Sequence, residues 1–283
     1  MKTKNFLLNI IKYIILVLIL IFTVFPLIYA FSNAFKTNME LMSRPDKLFP
    51  ITPTLENFAI AWKSEKFNVP TMLFNSIWYT SVSVVITIIV ASVSGYVFAR
   101  SEFPGKKIIF TMFSSLMFIS LGSITIYPLF DILSGIGLNK SLWGLVVVQC
   151  FGIPVVNMYL VKGFVQALPI DLDEAATIDG CTFTGIFFRI ILPLLKPIIA
   201  TISILAFNHT WNSYLMPSLF TMTSPKQQTL IVGVISLKNS GEGATSWNLM
   251  FAGTAIALVP VIFLFIFGNK YITKGIVTGA VKG

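Results

Sequence analysis

Charge is scarce in this chain. Only 11% of its 283 residues are Asp, Glu, Lys or Arg, whereas an ordinary soluble domain has roughly 25%. Hydrophobic residues make up 55%, and the mean hydropathy is +0.85. This composition excludes an ordinary soluble domain. It predicts an all-α integral membrane protein that lies in a lipid bilayer.

Residues for metal or cofactor chemistry are also few. Cys150 falls in an apolar run and Cys181 in a charged segment, so they lack metal-ligand spacing and are predicted to be ordinary thiols. A single histidine, His209, offers no metal site. The sequence has no G-x-x-x-x-G-K-[ST] phosphate loop, so ATP binding in that manner is not expected of this chain. The net charge of +9 is better explained by membrane orientation than by nucleic-acid binding.

Long uncharged runs divide the chain. A membrane-spanning helix needs about 20 apolar residues, and six runs meet this criterion: Tyr13–Phe35, Asn75–Phe98, Ile108–Phe130, Ser141–Val161, Pro197–Pro225 and Gly243–Asn269. They predict six spans. The first run is longer than the apolar region of a signal peptide, although Ser32–Ala34 resembles a cleavage site. Cleavage and removal of this first run is therefore the alternative to a retained membrane span.

The remaining segments are polar. We expect an N-terminal span over 1–35, an extracytoplasmic loop over 36–71 with a short helix near Leu55–Trp62, and a five-span domain over 72–270. A tail follows at 271–283. Asp131–Lys140 is predicted to be a brief connection and Lys226–Glu242 a mixed polar segment between the last two spans.

The distribution of basic residues predicts the orientation, because Lys and Arg are enriched in cytoplasmic loops. The face opposite to the N-terminus carries eight basic residues, and five of them lie in the longer loop over residues 36–71. Both termini and residues 171–193 are therefore predicted to be cytoplasmic. The face that holds the N-terminus carries twelve basic residues: Lys2, Lys4, Lys12, Arg100, Lys106, Lys107, Lys162, Arg189, Lys196, Lys270, Lys274 and Lys282.

A charged segment, residues 171–193, stands between the fourth and fifth predicted spans. Asp171 precedes Glu174 by three residues, the spacing of a capping box, which predicts the start of a short helix. Gly180 can adopt the left-handed conformation that ends a helix. Thr182 is a candidate cap for a second helix, whose apolar residues recur at helical spacing until Pro193. We therefore predict helix, tight turn and helix, outside the bilayer.

At these residues the chain resembles the inner-membrane permease subunits of ABC importers, whose EAA motif reads E-A-A-x3-G-x9-I-x-L-P. In that family the element is a coupling helix that sits in a groove of a cytoplasmic ATPase. The resemblance implies the same contact here. The residues implied are Asp171, Glu174, Ala175, Ala176, Asp179, Gly180, Ile190, Leu192 and Pro193.

Further residues look like the carbohydrate-uptake branch, specifically the smaller permease of the maltose type. They include Asn75-Ser76, Gly137-Leu138, Trp211-Asn212 and the glycine-rich tail. The resemblance implies a second related permease, two ATPase subunits that bind ATP and magnesium, and an extracytoplasmic solute-binding protein. It also implies tail contacts with the ATPases through Gly279, Lys282 and Gly283. A disordered tail is the alternative.

The polar side chains within the predicted spans are neutral. Asn208, Trp211 and Asn212 follow i, i+3, i+4 spacing and share one helix face. Amides suit sugar hydroxyls and an indole face suits a pyranose ring, so these residues could line a substrate path. Hydrogen bonding between neighbouring spans is the alternative. The full set of candidates is Gln149, Asn157, Asn208, Trp211, Asn212 and Tyr214.

These observations favour an ABC importer permease for a carbohydrate, with an oligosaccharide as the expected substrate. All eleven acidic residues and all twenty Lys and Arg residues lie outside the predicted spans, whereas a secondary transporter usually carries ionisable groups within the bilayer. An ion-coupled carrier and a membrane scaffold remain the alternative classes. A non-sugar solute such as a glycerol-phosphate ester remains an alternative substrate.

Overall fold

The computed structural model describes residues 2–64, 67–118, 122–239 and 247–280. Within these ranges every regular element is helical. The helices in chain order are α1 (Lys2–Ala34), α2 (Asn38–Ser43), α3 (Glu56–Lys63), α4 (Val69–Arg100), α5 (Lys106–Ser115), α6 (Ile126–Gly135), α7 (Leu142–Phe151), α8 (Val155–Ala167), α9 (Asp171–Ile178), α10 (Phe183–Ile186), α11 (Leu192–Leu194), α12 (Lys196–Trp211), α13 (Leu215–Thr221), α14 (Leu230–Asn239) and α15 (Trp247–Ala280).

Four helical stretches in the described residues are long and apolar enough to cross a membrane. They are Asn9–Ala34, Val69–Arg100, Leu142–Ala167 and Trp247–Gly268. Two further helical stretches, Phe183–Leu194 and Lys196–Trp211, meet at an angle of 77°. If this bent pair counts as one span, the number of candidate spans is five. The all-helical membrane fold agrees with the sequence analysis. Six spans stay a prediction.

The third predicted span, Ile108–Phe130, is not one continuous helix. α5 ends at Ser115, a 3-10 turn occupies Gly122–Thr125, and α6 runs on through Asp131. Residues 119–121 lie outside the described residues. The uncharged run satisfied a criterion of length and hydropathy, but its serines and glycine are weaker helix formers than alanine or leucine. The predicted connection at Asp131–Lys140 therefore begins later, after Gly135.

The later spans also differ from their predicted limits. The fourth is broken near Pro154, which lacks a backbone donor, and continues to Ala167, so that it includes Lys162. The fifth ends at Trp211 rather than Pro225. The polar segment after it contains an unpredicted helix, α14, whose residues Val232 and Val234 are buried.

Contacts divide the chain into two compact units. The first contains residues 1–70 and 230–259, and its predicted loop is folded around Asn57. The Asn57 amide donates to the carbonyl oxygens of Ala34 and Lys36, both at 2.8 Å, and its oxygen accepts from Asn248 at 2.7 Å. The Lys36 ammonium is fully buried and donates to the carbonyl of Lys47. α3 confirms the short helix predicted for this loop.

The second unit contains residues 71–229 and 260–283. One apolar cluster joins α4, α8, the charged segment and α12, and its buried members include Tyr96, Val161, Ala176, Phe187 and Ile202. α4 comes close to α8 at Gly95, where an added Cβ would lie 2.7 Å from the Val161 Cβ. The cluster therefore holds the charged segment against two apolar helices.

Candidate functional site: the docking segment

The docking segment, residues 171–193, begins with α9, as predicted. Its predicted capping box is wrong, however, because Asp171 is already helical and the N-cap residue Ile170 makes no side-chain capping bond. The first turn instead carries Asp171, Asp173 and Glu174. Three carboxylates there interact favourably with the positive end of the helix dipole. The acidic residues therefore stabilise the start of α9 by charge rather than by reciprocal hydrogen bonds.

The turn after α9 has the geometry predicted for Gly180. Its φ is +81°, in the left-handed region that glycine adopts without a Cβ penalty. The N–H of Cys181 donates to the Ala176 carbonyl at 2.9 Å, and that of Gly180 to the Thr177 carbonyl at 3.0 Å. These two bonds form a Schellman motif, which satisfies carbonyls at the end of the helix. The direction of the chain after Asp179 is thus fixed locally.

The second half of the segment starts as predicted but ends differently. The Thr182 hydroxyl accepts from the Gly185 N–H at 3.2 Å. α10 then widens into a π-helical turn over Phe187–Ile191, and the helix passes through Pro193 to Leu194. Proline cannot donate to the carbonyl four residues earlier, and a widened turn accommodates such a loss. Pro193 therefore does not interrupt the helix, and the chain bends after Leu194 instead.

Exposure separates the two motif alanines. Ala175 is exposed, whereas Ala176 is buried with Ile186 and Phe187. The motif predicts that both alanines face the partner, and the burial of Ala176 corrects this prediction. The remaining motif residues vary: Glu174, Asp179, Gly180 and Pro193 are exposed, while Ile190 and Leu192 are half-buried.

Two large apolar side chains of the docking segment are exposed, and no sequence pattern indicated either of them. Ile178 is 86% exposed and Phe188 62% exposed. A cavity of about 470 Å³ is lined by Phe188 together with Gly180, Thr182, Gly185 and Arg189, among others. Exposed large apolar side chains rimmed by polar residues often mark a protein contact. Ile178 is a variable position of the motif, so the pattern gave no signal for it.

Two residues of α4 contact the docking segment, and these too were missed. Arg100 forms an ion pair with Asp173, with 3.1 Å between Nε and Oδ2, and donates from Nη2 to the Leu168 carbonyl at 3.0 Å. The Tyr96 hydroxyl donates to the Phe183 carbonyl at 3.3 Å. The distribution of basic residues predicts only an orienting charge at Arg100. No local pattern could link it to a carboxylate 73 positions away in the chain.

The substrate-path candidates differ in exposure. Trp211 is buried and stacks on Phe207, with 5.4 Å between the ring centroids. Asn208 and Asn212 are exposed, and the Asn212 amide donates to the Asn208 side-chain oxygen at 2.8 Å. Although α12 ends at Trp211, the Asn212 N–H bonds to the Asn208 carbonyl at 3.3 Å, so these two residues share a face as their i, i+4 spacing predicts.

The other candidates are Gln149, Asn157, Tyr214 and the tail residues. The Gln149 amide donates to the Tyr79 hydroxyl at 3.4 Å, and Asn157 and Tyr214 are half-buried. Gly279 lies within α15 rather than in an irregular tail. The structure does not describe Lys282 and Gly283.

The described residues offer little for direct chemistry. Among them, no group of three His, Cys, Asp or Glu side chains is placed to hold a metal ion. Cys150 and Cys181 are free thiols. The docking segment is a candidate contact surface because it presents exposed carboxylates and apolar side chains.

Comparison with known proteins identifies related chains over nearly the full length. The probable ABC transporter permease protein YurM of Bacillus subtilis is 30% identical over 96% of this chain and 88% of its own. The galactooligosaccharides transport system permease protein GanQ of the same organism is 30% identical over 100% and 99%. The arabinooligosaccharides transport system permease protein AraQ of Halalkalibacterium halodurans is 32% identical over 92% and 91%.

A solved structure shares the fold. It is a bacterial ABC transporter involved in the import of the acidic polysaccharide alginate, with a TM-score of 0.79 and 21% identity over 95% of this chain and 97% of that chain. The family described as "Binding-protein-dependent transport system inner membrane component" matches residues 3–278. The chain, a multi-pass membrane protein, therefore belongs to this family of transport-system permeases.

Proposed function

We propose that the chain is one translocation subunit of an ATP-driven ABC importer that moves an oligosaccharide into the cytoplasm. Several relatives are named for the transport of galactooligosaccharides or arabinooligosaccharides. The observation that carries the proposal is the docking segment, which presents carboxylates and the exposed Ile178 beside a tightly fixed turn. Such a surface suits a protein partner that supplies the energy.

The partner at this surface is an ATPase pair, which binds ATP and magnesium. Ile178 and Phe188 form the apolar part of the contact and Glu174 the charged part, while the cavity near Gly185 receives a side chain of the ATPase. The contact requires the segment to be cytoplasmic. The twelve basic residues on the same predicted face support that orientation, with both termini inside a bacterial cytoplasmic membrane.

Two further partners complete the transporter. A second, related permease pairs with this chain, and an extracytoplasmic solute-binding protein delivers the sugar to the outer face. A bacterial alginate ABC transporter has been solved in complex with a periplasmic protein that holds an alginate pentasaccharide, and one chain of that complex shares this fold with a TM-score of 0.66. We assign the delivery of substrate to the folded loop around Asn57, at the predicted outer face.

The substrate path is assigned to neutral polar side chains. Asn208 and Asn212 are exposed and linked, so their remaining donors and acceptors can reach sugar hydroxyls. Gln149, Asn157 and Tyr214 are further candidates. Trp211 is assigned to packing because it is buried against Phe207. No Asp or Glu occurs in the four candidate spans, which disfavours an ion-coupled carrier.

The proposal is tested at Ile178. Ile178→Asp should abolish co-purification of the ATPase subunits and ATP-dependent uptake of galacto- or arabinooligosaccharides, because a charge replaces an apolar contact. Ile51, which is 56% exposed in the loop around Asn57, provides the matched control. Ile51→Asp should leave ATPase binding unchanged. Normal ATPase binding by the Ile178 variant would refute the docking assignment.

A further inference from the structure

We propose that Arg100 and Tyr96 are positioning residues that fix both halves of the docking segment to α4, so that α4 moves with the segment when the ATPases displace it. This inference rests on the proposed function. It names the residues that transmit a displacement of the docking segment to α4, a candidate membrane span.

Arg100 holds the first half of the segment. Its side chain is 10% exposed and that of Asp173 is 14% exposed, so their ion pair is shielded from water and weakly screened by salt. Nε lies 3.1 Å from the Asp173 carboxylate, and Nη2 donates to the carbonyls of Leu168 at 3.0 Å and Pro169 at 3.5 Å. One guanidinium thus contacts both the first turn of α9 and the chain that leads into it.

Tyr96 holds the second half. It lies one helical turn before Arg100 and is 2% exposed. Its ring stacks on Phe183 at 4.6 Å between centroids and packs against Phe187 at 5.1 Å, and its hydroxyl donates to the Phe183 carbonyl. The same face of α4 therefore contacts the segment on both sides of Gly180.

This double attachment has a mechanical consequence. The Schellman turn at Gly180 sets the direction of the chain locally, and α4 then fixes each flanking helix separately. Packed cores do not deform continuously, so a displacement of α9 cannot occur without α4 unless the Arg100–Asp173 link breaks. Close packing of α4 on α8 at Gly95 extends the unit to α8.

A simpler role for Arg100 is that of an orienting charge at the cytoplasmic end of a span. Lysine would serve that role equally well. It would not replace the planar guanidinium, whose Nε forms the ion pair with Asp173 while Nη2 donates to the Leu168 carbonyl. Arg100→Lys therefore distinguishes positioning from orientation.

The experiment uses the whole reconstituted transporter and measures ATP hydrolysed per oligosaccharide imported. Arg100→Lys and Asp173→Asn should each raise this ratio by about fivefold or more, the lower end of typical coupling between sites. The double variant should be no worse than the more affected single variant, because both changes remove one link. Glu102→Gln is the control, since it breaks the 2.8 Å surface ion pair with Lys106 near the same end of α4.

A distance measurement provides a readout that a purely structural role would not change. Spin labels at the exposed positions Thr177 and Glu102, with Cys150 and Cys181 replaced by alanine, report the separation of α9 from the end of α4. The separation should be the same in the nucleotide-free and nucleotide-trapped wild type and should differ between these states in Arg100→Lys. A separation that changes in the wild type would overturn the proposal.

If the Arg100→Lys variant does not assemble, the ATP-to-solute ratio is measured for Tyr96→Phe instead. This change removes the hydroxyl that donates to the Phe183 carbonyl and keeps the stacked ring. An increased ATP-to-solute ratio supports the inference, and an unchanged ratio overturns it. Wild-type uptake that needs no ATPase would refute the proposed function as well. Intact ATP-dependent uptake with unchanged ratios in the variants would refute only the positioning role.

Discussion

At the residue scale, Gly180 gives the clearest link between sequence and geometry. A Cβ at this position would meet nothing within 4 Å, so substitution brings no steric clash with neighbours. The only obstacle is φ at +81°, which costs a residue with a Cβ roughly 1–2 kcal/mol. The space around the turn thus allows backbone strain to be tested by itself.

We predict that Gly180→Ala lowers substrate-stimulated ATP hydrolysis and uptake together, while membrane insertion and solute capture by the binding protein are unchanged. Gly180→Asn should be milder, because asparagine adopts left-handed backbone angles more readily than alanine. Gly163→Ala is the matched control, since Gly163 lies in α8 with nothing within 4 Å of its added Cβ. Wild-type uptake and ATP hydrolysis in all three variants would show that the turn geometry is not needed for coupling.

At the element scale, the close contact between α4 and α8 is as informative as the docking segment. The contact depends on Gly95, because an added Cβ would lie 2.7 Å from the Val161 Cβ and 3.0 Å from the Lys162 backbone nitrogen. Neither atom is the end of a flexible side chain. The two helices would have to separate to make room.

We predict that Gly95→Ala destabilises the purified transporter by about 1–3 kcal/mol, the usual cost of overpacking. Thermal unfolding in detergent should show a lower midpoint. Gly135→Ala serves as the control, because its Cβ would meet nothing within 4 Å at the end of α6. A midpoint equal to that of the wild type would mean that the α4–α8 contact is looser than the structure shows.

Local elements could be predicted from the sequence, whereas contacts between distant elements could not. α9, the Gly180 turn and the Thr182 cap follow from side chains within a few residues of one another. The Arg100–Asp173 pair and the burial of Ala176 depend on how α4 packs against the segment, which no periodicity records. The break in the third predicted span was missed because hydropathy measures transfer into lipid and not continuity of a helix.

At the scale of the whole molecule, the orientation in the membrane decides whether the docking segment can meet an ATPase. We predict that a membrane-impermeant thiol reagent applied from outside modifies a cysteine placed at Ser64 but not one placed at Thr177, after Cys150 and Cys181 are replaced. The basis is the excess of Lys and Arg on the predicted inner face. Permeabilised cells, in which the Thr177 probe should react, provide the control. The reverse labelling pattern would place the docking segment outside and remove the proposed function.

The loop around Asn57 has a consequence for how this protein can change over evolutionary time. Asn57 donates to the main-chain carbonyls of Ala34 and Lys36, and a carbonyl is present whichever amino acid occupies a position. Mutations at these two positions therefore leave the anchor intact unless they disturb the backbone or the buried space around it. The exposed stretch Met42–Asp46 can diverge or lengthen while its base, which includes the Lys47 carbonyl held by Lys36, stays fixed. A descendant can therefore acquire a new partner at this loop without refolding its apolar helices.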